Sequence, residues 1–459
     1  MKCTSRWIAC LGIGMLLIAT RASATPPFGP PEWTQYRMDS THNAVYENGA
    51  GALPSRHFKT YAPVRATPVV IGDHLYVGTH LTGGLFAFDV KTGDMLWGDN
   101  TPWFRHAPNW VHSDMICADG RLFLGYGNRE FKDADVRGTG ASGVMAVDPA
   151  SGRTLWNHPT MGEVMPTPAF WHGTLYAATG AGRLLALDPA TGATRWSLKL
   201  PGWVSMSSPA IRDGILYVGV EDAVVAVDLS THKALWVYQD TATFTDVPPA
   251  VSAAGIVVMT GRKQRADLSP QETREYRRVK GTLQFIYAFD GRSGKLLWKH
   301  LMGGGPPQLD NTSGAPAIAD GVVYVGSPYT RSLFAYDVRS GEKLWEDPIG
   351  ARIKGAPAIA YGYVFFGDAR GFLHVVTTHG DPVLLPNGDP VEKHKLGGSL
   401  SDAKAVALAP AGPVVINQNV FVSSQDGFVY SVSIPAWLGR APTQPARHSS
   451  TDDSGQRNR

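Results

Sequence analysis

The stretch from Ala186 to Trp196, Ala-Leu-Asp-Pro-Ala-Thr-Gly-Ala-Thr-Arg-Trp, constrains this chain more than any other. An apolar run ends in Ala-x-Asp, a Thr-Gly turn reverses it, and a Trp follows eight residues after the Asp. The pattern returns at Ala87/Asp89/Gly93/Trp97, Ala146/Asp148/Gly152/Trp156, Ala226/Asp228/Trp236, Ala288/Asp290/Gly294/Trp298 and Ala335/Asp337/Gly341/Trp345. A fixed motif at such a period marks a repeat architecture, in which stacked units share one core. The Trp spacings are 59, 40, 40, 62 and 47, so some units carry insertions.

Each unit reads as four short strands. A start such as Thr67-Pro68, Thr167-Pro168 or Ala356-Pro357 leads into an apolar strand, and an Asp-Gly turn reverses it. A Leu-Tyr-Val-Gly-like strand, the Ala-x-Asp strand and the Trp strand follow. Apolar runs separated by Gly-containing turns are antiparallel strands, and four of them per unit make a propeller blade. Blade seven has Thr377 where Asp is expected and Leu385 where Trp is expected. Blade eight runs from near Pro413 through Val432 and ends without a Trp strand; residues 55–61 would supply it from the other end of the chain. The expected fold is therefore an all-β, eight-bladed β-propeller of four-stranded antiparallel blades over residues 25–439, closed by an N-terminal strand. The polar residues 440–459 have no apolar period and read as a disordered tail.

The N-terminus reads as a secretory signal. Lys2 and Arg6 precede an apolar core from Trp7 to Ala19, and Ala22-Ser23-Ala24 fits small-x-small cleavage after residue 24. Removing residues 1–24 takes Lys2, Arg6 and Arg21 and no acid, leaving 39 basic against 39 acidic side chains. A balanced charge gives no case for nucleic acid or for a membrane surface. Cys3 and Cys10 leave with the signal, and Cys10 lacks a lipobox, so a soluble, non-lipidated periplasmic protein is expected. Cys117 alone allows no intrachain disulfide and no CxxCH haem attachment.

The repeated Ala-x-Asp-x-x-Thr-Gly-x-x-x-Trp resembles the tryptophan-docking motif of the pyrroloquinoline quinone (PQQ) propeller superfamily, and the resemblance runs from about Trp33 to Ile434. It implies kinship with calcium- or lanthanide-dependent quinoprotein dehydrogenases, with the outer-membrane assembly propeller and with tetrathionate hydrolases. The dehydrogenases' adjacent Cys-Cys pair is absent here. Under a quinoprotein reading, Trp203 would offer a floor for PQQ, Glu163 and Asn311 metal ligands, Asp246 or Asp114 the base, and a separate cytochrome would take the electrons.

In a four-stranded meander the loops entering each first strand and the second-to-third loops emerge on one rim, and the Thr-Gly turns on the other. The insertions Gly98–His112, Gly127–Ser142, Arg262–Gly281 and Lys299–Thr312 all fall on the first rim. So do the polar residues that precede the first strands: Arg105, His106, His112, Asp114, Glu163, Asp246, Asn311, Lys354, Asp402 and Lys404, with Trp203 beside them. Loops on a rigid scaffold carry binding, and mixed charge around a concave mouth suits a small polar ligand or an anion. The insertion Arg262–Lys280 holds seven basic and three acidic residues and a Ser269-Pro270-Gln271-Glu272 capping box, so a short basic helix is expected to cover the mouth or grip an acidic partner. The main expectation is a periplasmic propeller binding a small polar ligand or a protein partner on this rim. The alternative is an enzyme, either a PQQ/metal oxidoreductase or a cofactor-free hydrolase of small anions such as tetrathionate, with Asp246 or Asp114 as its base.

Overall fold

The computed structural model describes residues 39–43 and 51–441, apart from 99–106, 129–130, 134–135, 139, 264–267, 280, 307–313 and 397–411. Eight four-stranded antiparallel sheets form the ring, six of them meanders of consecutive strands, while in blade two the hairpin Phe131–Asp133/Val136–Arg137 lies between the second and third strands. The eighth holds Val414–Ile416, Asn419–Ser423 and Phe428–Ser433, and its outer strand is Arg56–Lys59. Arg56 pairs with Ser431 and Lys59 with Phe428, so the expected N-terminal closure is present. First strands of neighbouring blades approach one another around the axis. The apolar core lies between blades, as where Ile116, Phe123 and Ala146 of blade two meet Leu175, Ala177 and Leu187 of blade three.

Register explains the motif. In blade three Tyr176, Ala186 and Trp196 stand side by side on three adjacent strands, with a bulge just after Ala186. The alanine methyl is small enough for the indole to fold across it onto the tyrosine, with ring centroids 5.8 Å apart. Tyr76–Trp97, Tyr217–Trp236 and Tyr324–Trp345 repeat the arrangement at 5.9, 6.1 and 5.9 Å. Five of the six motif indoles donate to the turn of the following blade, among them Trp97 to the Pro149 carbonyl (2.8 Å), Trp156 to Pro189 (3.0 Å) and Trp298 to Val338 (3.0 Å). A buried indole N–H needs such an acceptor. The Asp carboxylate shapes the turn, as Asp188 Oδ1 accepts the Ala190 and Thr191 amides at 3.0 Å.

The turn glycine meets two demands at once. Gly192 has φ +74°, and a Cβ there would lie 2.6 Å from the Trp156 ring. Blade four has His232 at this position, also left-handed at φ 59°, and it stacks on Trp196 at 4.6 Å. At the seam the register puts Arg56 where blades one to six carry Trp. Its guanidinium lies against Gly93 and donates to the Thr92 carbonyl at 3.0 Å.

Blade seven corrects the expectation for Leu385. Its outer strand is His394–Lys395, because the chain turns away in a small hairpin where Leu384 bridges Pro390. Pro382, Pro386 and Pro390 cannot donate to a ladder, so a continuous strand is excluded there. This excursion is an elaboration away from the insertion-rich rim. The missing tryptophan comes from a helix not foreseen in the sequence, Ile434–Leu438, whose Trp437 lies 6.1 Å from Phe365 and donates to the Glu392 carbonyl. Of the expected tail 440–459, residues 442–459 lie outside the described residues, as do residues 1–24, the expected signal.

The N-terminal segment Asp39–Asn43 runs along the first strands of blades four and five. The Ile211 amide donates to the Ser40 carbonyl (2.5 Å) and the Val251 amide to the Thr41 carbonyl (2.9 Å). His42 Nδ1 meets the Pro249 carbonyl and Asn43 Nδ2 donates to the Val251 carbonyl, both at 2.8 Å.

Gly192 and Gly173 separate backbone strain from docking, since both have positive φ but only Gly192 faces an indole. Gly173→Ala should lower unfolding free energy by about 1 kcal/mol and Gly192→Ala by about 2–4 kcal/mol, read from urea titrations. Equal losses would mean that the indole contact contributes nothing.

Candidate functional site

The loops that enter the first strands are fastened to the second-to-third loops of the same rim. Val111 N donates to Thr79 O (3.2 Å), Glu163 N to Arg137 O (2.9 Å), Gly180 N to Glu163 O (2.7 Å) and Phe244 N to Glu221 O (3.1 Å). Near the axis, side chains link blade to blade. Asp114 Oδ1 accepts the Thr67 amide at 2.6 Å, Thr167 Oγ1 accepts the Asp114 amide at 3.0 Å, and Ser208 Oγ accepts the Thr167 amide at 2.9 Å. Asp114 is thus one member of an interblade belt.

Three clusters form above this belt. Glu163 is fully buried and paired with Arg137, whose guanidinium lies over the Trp203 ring at 5.3 Å. Gly127 and Gly138 press on Glu163 so closely that a Cβ on either would come within 2.7 Å of it. His112 contacts His80, and Trp110 packs edge-on to His80 at 4.8 Å; both imidazoles are buried. The third cluster joins blades five and six. Asp246 Oδ2 lies 2.9 Å from Arg262 Nη2, and the Tyr329 hydroxyl is hydrogen-bonded to the same guanidinium. Burial works against the Arg262 charge, but Asp246 and Tyr329 outweigh it and raise its pKa.

Asp246 Oδ1 is buried and has no hydrogen-bond partner among the described residues. Asp246 borders a cavity of about 10 Å³ shared with Thr243, Thr260, Arg262, Gln284 and Tyr329 among others. That is close to the space of one water centre, and the lining is polar.

Of the residues singled out by sequence, His112, Asp114, Glu163, Trp203 and Asp246 thus have defined surroundings, and Lys354 is half-buried in the loop entering blade seven. Arg105, His106, Asn311, Asp402 and Lys404 lie outside the described residues. Sequence reasoning missed Arg137, His80 and Tyr329, which sit between second and third strands, far in sequence from Glu163, His112 and Arg262, the residues they meet. Arg262 was noted only as part of a basic run. It also missed a cleft of about 490 Å³ on the opposite rim, lined by Trp171, His172, Asp213 and Arg292 among others. Its acids are engaged locally: Asp228 accepts the Ser230 and Thr231 amides, and Asp213 lies 3.5 Å from Arg212.

The described donors do not fit a quinone–metal centre. Glu163 is neutralised by Arg137, Asp246 by Arg262, and Asp114 holds an amide, each in a different blade. Among the described residues no three His, Cys, Asp or Glu side chains converge as metal ligands.

The basic insertion does form a helix, α1 (Pro270–Val279). Ser269 N donates to Glu272 Oε2 (2.8 Å) and Glu272 N to Ser269 Oγ (3.2 Å), the expected capping box. Tyr276 and Val279 pack on the blade-five core, and α1 lies along the two outer strands of that blade, leaving Arg274, Arg277 and Arg278 exposed. A buried ionic knot anchors its start: Lys263 Nζ lies 3.0 Å from Asp240 and 3.3 Å from Glu272, while Lys299 lies 3.0 Å from Asp240.

The ring, its repeated indole docking and one elaborated rim define the class: an eight-bladed PQQ-like propeller. A family model described as outer membrane protein assembly factor BamB matches residues 140–380, and the chain belongs to that family. A tetrathionate hydrolase of Acidithiobacillus ferrooxidans is 25% identical over 464 aligned positions, covering 88% of this chain and 86% of the relative. The assembly factor BamB of Burkholderia pseudomallei is 26% identical over 377 positions, 79% of this chain and 83% of that one. The quinohemoprotein alcohol dehydrogenase of Comamonas testosteroni shares the fold, with TM-score 0.62 at 14% identity over 92% of this chain and 82% of its own.

Asp240 makes stability depend on pH. Burial raises its pKa, but Lys299 and Lys263 outweigh burial and hold it at about 2, below the usual 3.8. A depressed carboxylate stabilises the fold above its unfolded pKa, and that contribution is lost as pH falls from about 4 towards 2. Unfolding midpoints should drop across this window by an amount equivalent to about 2 kcal/mol. Asp240→Asn should remove that part of the slope, and a slope unchanged in the variant would assign it to other carboxylates.

Proposed function

We propose that this chain is a cofactor-free hydrolase of a small oxyanion, with tetrathionate the first substrate to test. One observation carries the reading: Asp246, whose buried Oδ1 has no hydrogen-bond partner among the described residues, lines a water-sized polar cavity beside Arg262. A water in that cavity would donate to Asp246 Oδ1. As its oxygen bonds to a sulfur of the substrate, the S–S bond opposite breaks, the water's proton passes to the carboxylate, and Arg262 with Tyr329 meets the electron pair's charge on the departing sulfur oxyanion. The alignment with a tetrathionate hydrolase over most of both chains supports this choice of substrate class. Asp114 contributes by holding the rim rather than by proton transfer, because its Oδ1 caps the Thr67 amide.

The family's assembly-factor description favours a second reading, in which the rim engages a protein partner and the exposed Arg274 and Arg277 of α1 meet its acidic residues. Both readings place the mature chain in the periplasm after cleavage of residues 1–24. In the described residues no helix is long and apolar enough to cross a membrane.

Turnover of tetrathionate by the purified chain tests the first reading. Asp246→Asn should lower kcat by roughly 10²–10⁴-fold with the thermal midpoint retained, the range for losing a general base. Arg262→Ala should cost both kcat and KM. Undiminished turnover in Asp246→Asn would remove Asp246 from the chemistry, and no turnover in the parent chain would leave the partner-binding reading.

A further inference from the structure

The first strand of each blade has one edge paired within its sheet and one edge turned to the axis. In blade four Arg212 pairs with Ile215 across the Asp213-Gly214 turn, which leaves the Ile211 amide pointing the other way. Ile211 and Val251 are both fully buried, so their amides need acceptors. Residues 39–43 supply them through the Ser40 and Thr41 carbonyls, and Asn43 returns a bond to the Val251 carbonyl. His42 is buried to 1% exposure and reaches Pro249. This is strand addition to an exposed sheet edge, the means by which extended peptides are commonly recognised. Here the peptide belongs to the same chain.

Position gives the contact its consequence. First strands run from the elaborated rim towards the plain one, and Ile211 and Val251 lie beside the turns Asp213-Gly214 and Ser252–Gly255 at the plain end. We propose that Asp39–Asn43 is a stopper: an extended segment added in cis to the axial edges of blades four and five. It closes the channel at the plain rim, so that the axial space opens only among the insertions. Any ligand taken up along the axis then enters and leaves by the elaborated rim. The proposal stands whether or not Asp246 is a base, because it rests on backbone pairing alone.

Two measurements on the full chain test it. Ser40→Cys places a thiol in the segment with little change of volume. Its modification by a maleimide, followed by peptide mass spectrometry, should be at least tenfold slower in the native protein than in urea. Hydrogen exchange should find the Ile211 and Val251 amides slow in the parent chain and at least tenfold faster in His42→Ala/Asn43→Ala. Val415, in the first strand of blade eight, should be unchanged. Should the double variant fail to fold, the Ser40→Cys labelling still decides. A thiol that labels natively as fast as in urea, or parent-chain Ile211 and Val251 amides that exchange like unpaired ones, would overturn the stopper.

Discussion

The ring depends on one contact made again and again: an indole laid across an alanine, held by a tyrosine or phenylalanine behind it, and pressed on the turn of the next blade. Neither blade can make this contact alone. The Trp156 N–H is satisfied only when Pro189 of the following blade arrives, and Gly192 is tolerable at φ +74° and in indole contact because it has no side chain. The exceptions support the rule. His232 replaces the glycine and stacks instead. Trp437 reaches Phe365 from a C-terminal helix where blade seven has lost its own tryptophan.

The same economy shapes the rim. With the plain side taken up by docking turns, the second-to-third loops and the loops entering the first strands are left to vary. The rim acids then divide by what faces them. Asp114 faces a backbone amide and ties blades together, and Glu163 is sealed by glycines against Arg137. Asp246 keeps one oxygen free of partners while its other oxygen is held by Arg262. Of these three acids, Asp246 is the one that lines the water-sized polar cavity.

Much of the fold was legible because the repeat writes its contacts into spacing. Ala, Asp, Gly and Trp recur at offsets that correspond to opposed residues on neighbouring strands, and the seam followed from counting strands in the last blade. The site was legible only by half. Asp246 and Glu163 could be placed on a rim from their position before a first strand. Their cationic partners could not, since Arg137 lies in an inserted hairpin and Arg262 near the end of the lengthened strand Ile256–Lys263, and no period encodes the reach of either. Blade seven misled for a related reason: its prolines break the ladder, and the compensating tryptophan lies 45 residues beyond its acceptor Glu392. The pairing of residues 39–43 with inner strand edges leaves no trace in composition, because backbone atoms make most of it.

The seam has a bearing on how the chain acquires its shape. Leu53 is bonded to Asn419 across 366 residues, and Arg56–Lys59 find their sheet only in Phe428–Ser433. Blades one to seven can form as their strands emerge, each by local hairpins, but closure waits for Phe428–Ser433, late in the chain. Until then the outer strand of the final sheet is an unattached length of chain, and an open arc presents uncovered apolar flanks at both ends. Such an arc is a natural client for chaperones, and it would complete its ring only after the whole polypeptide had been delivered to the place where it folds.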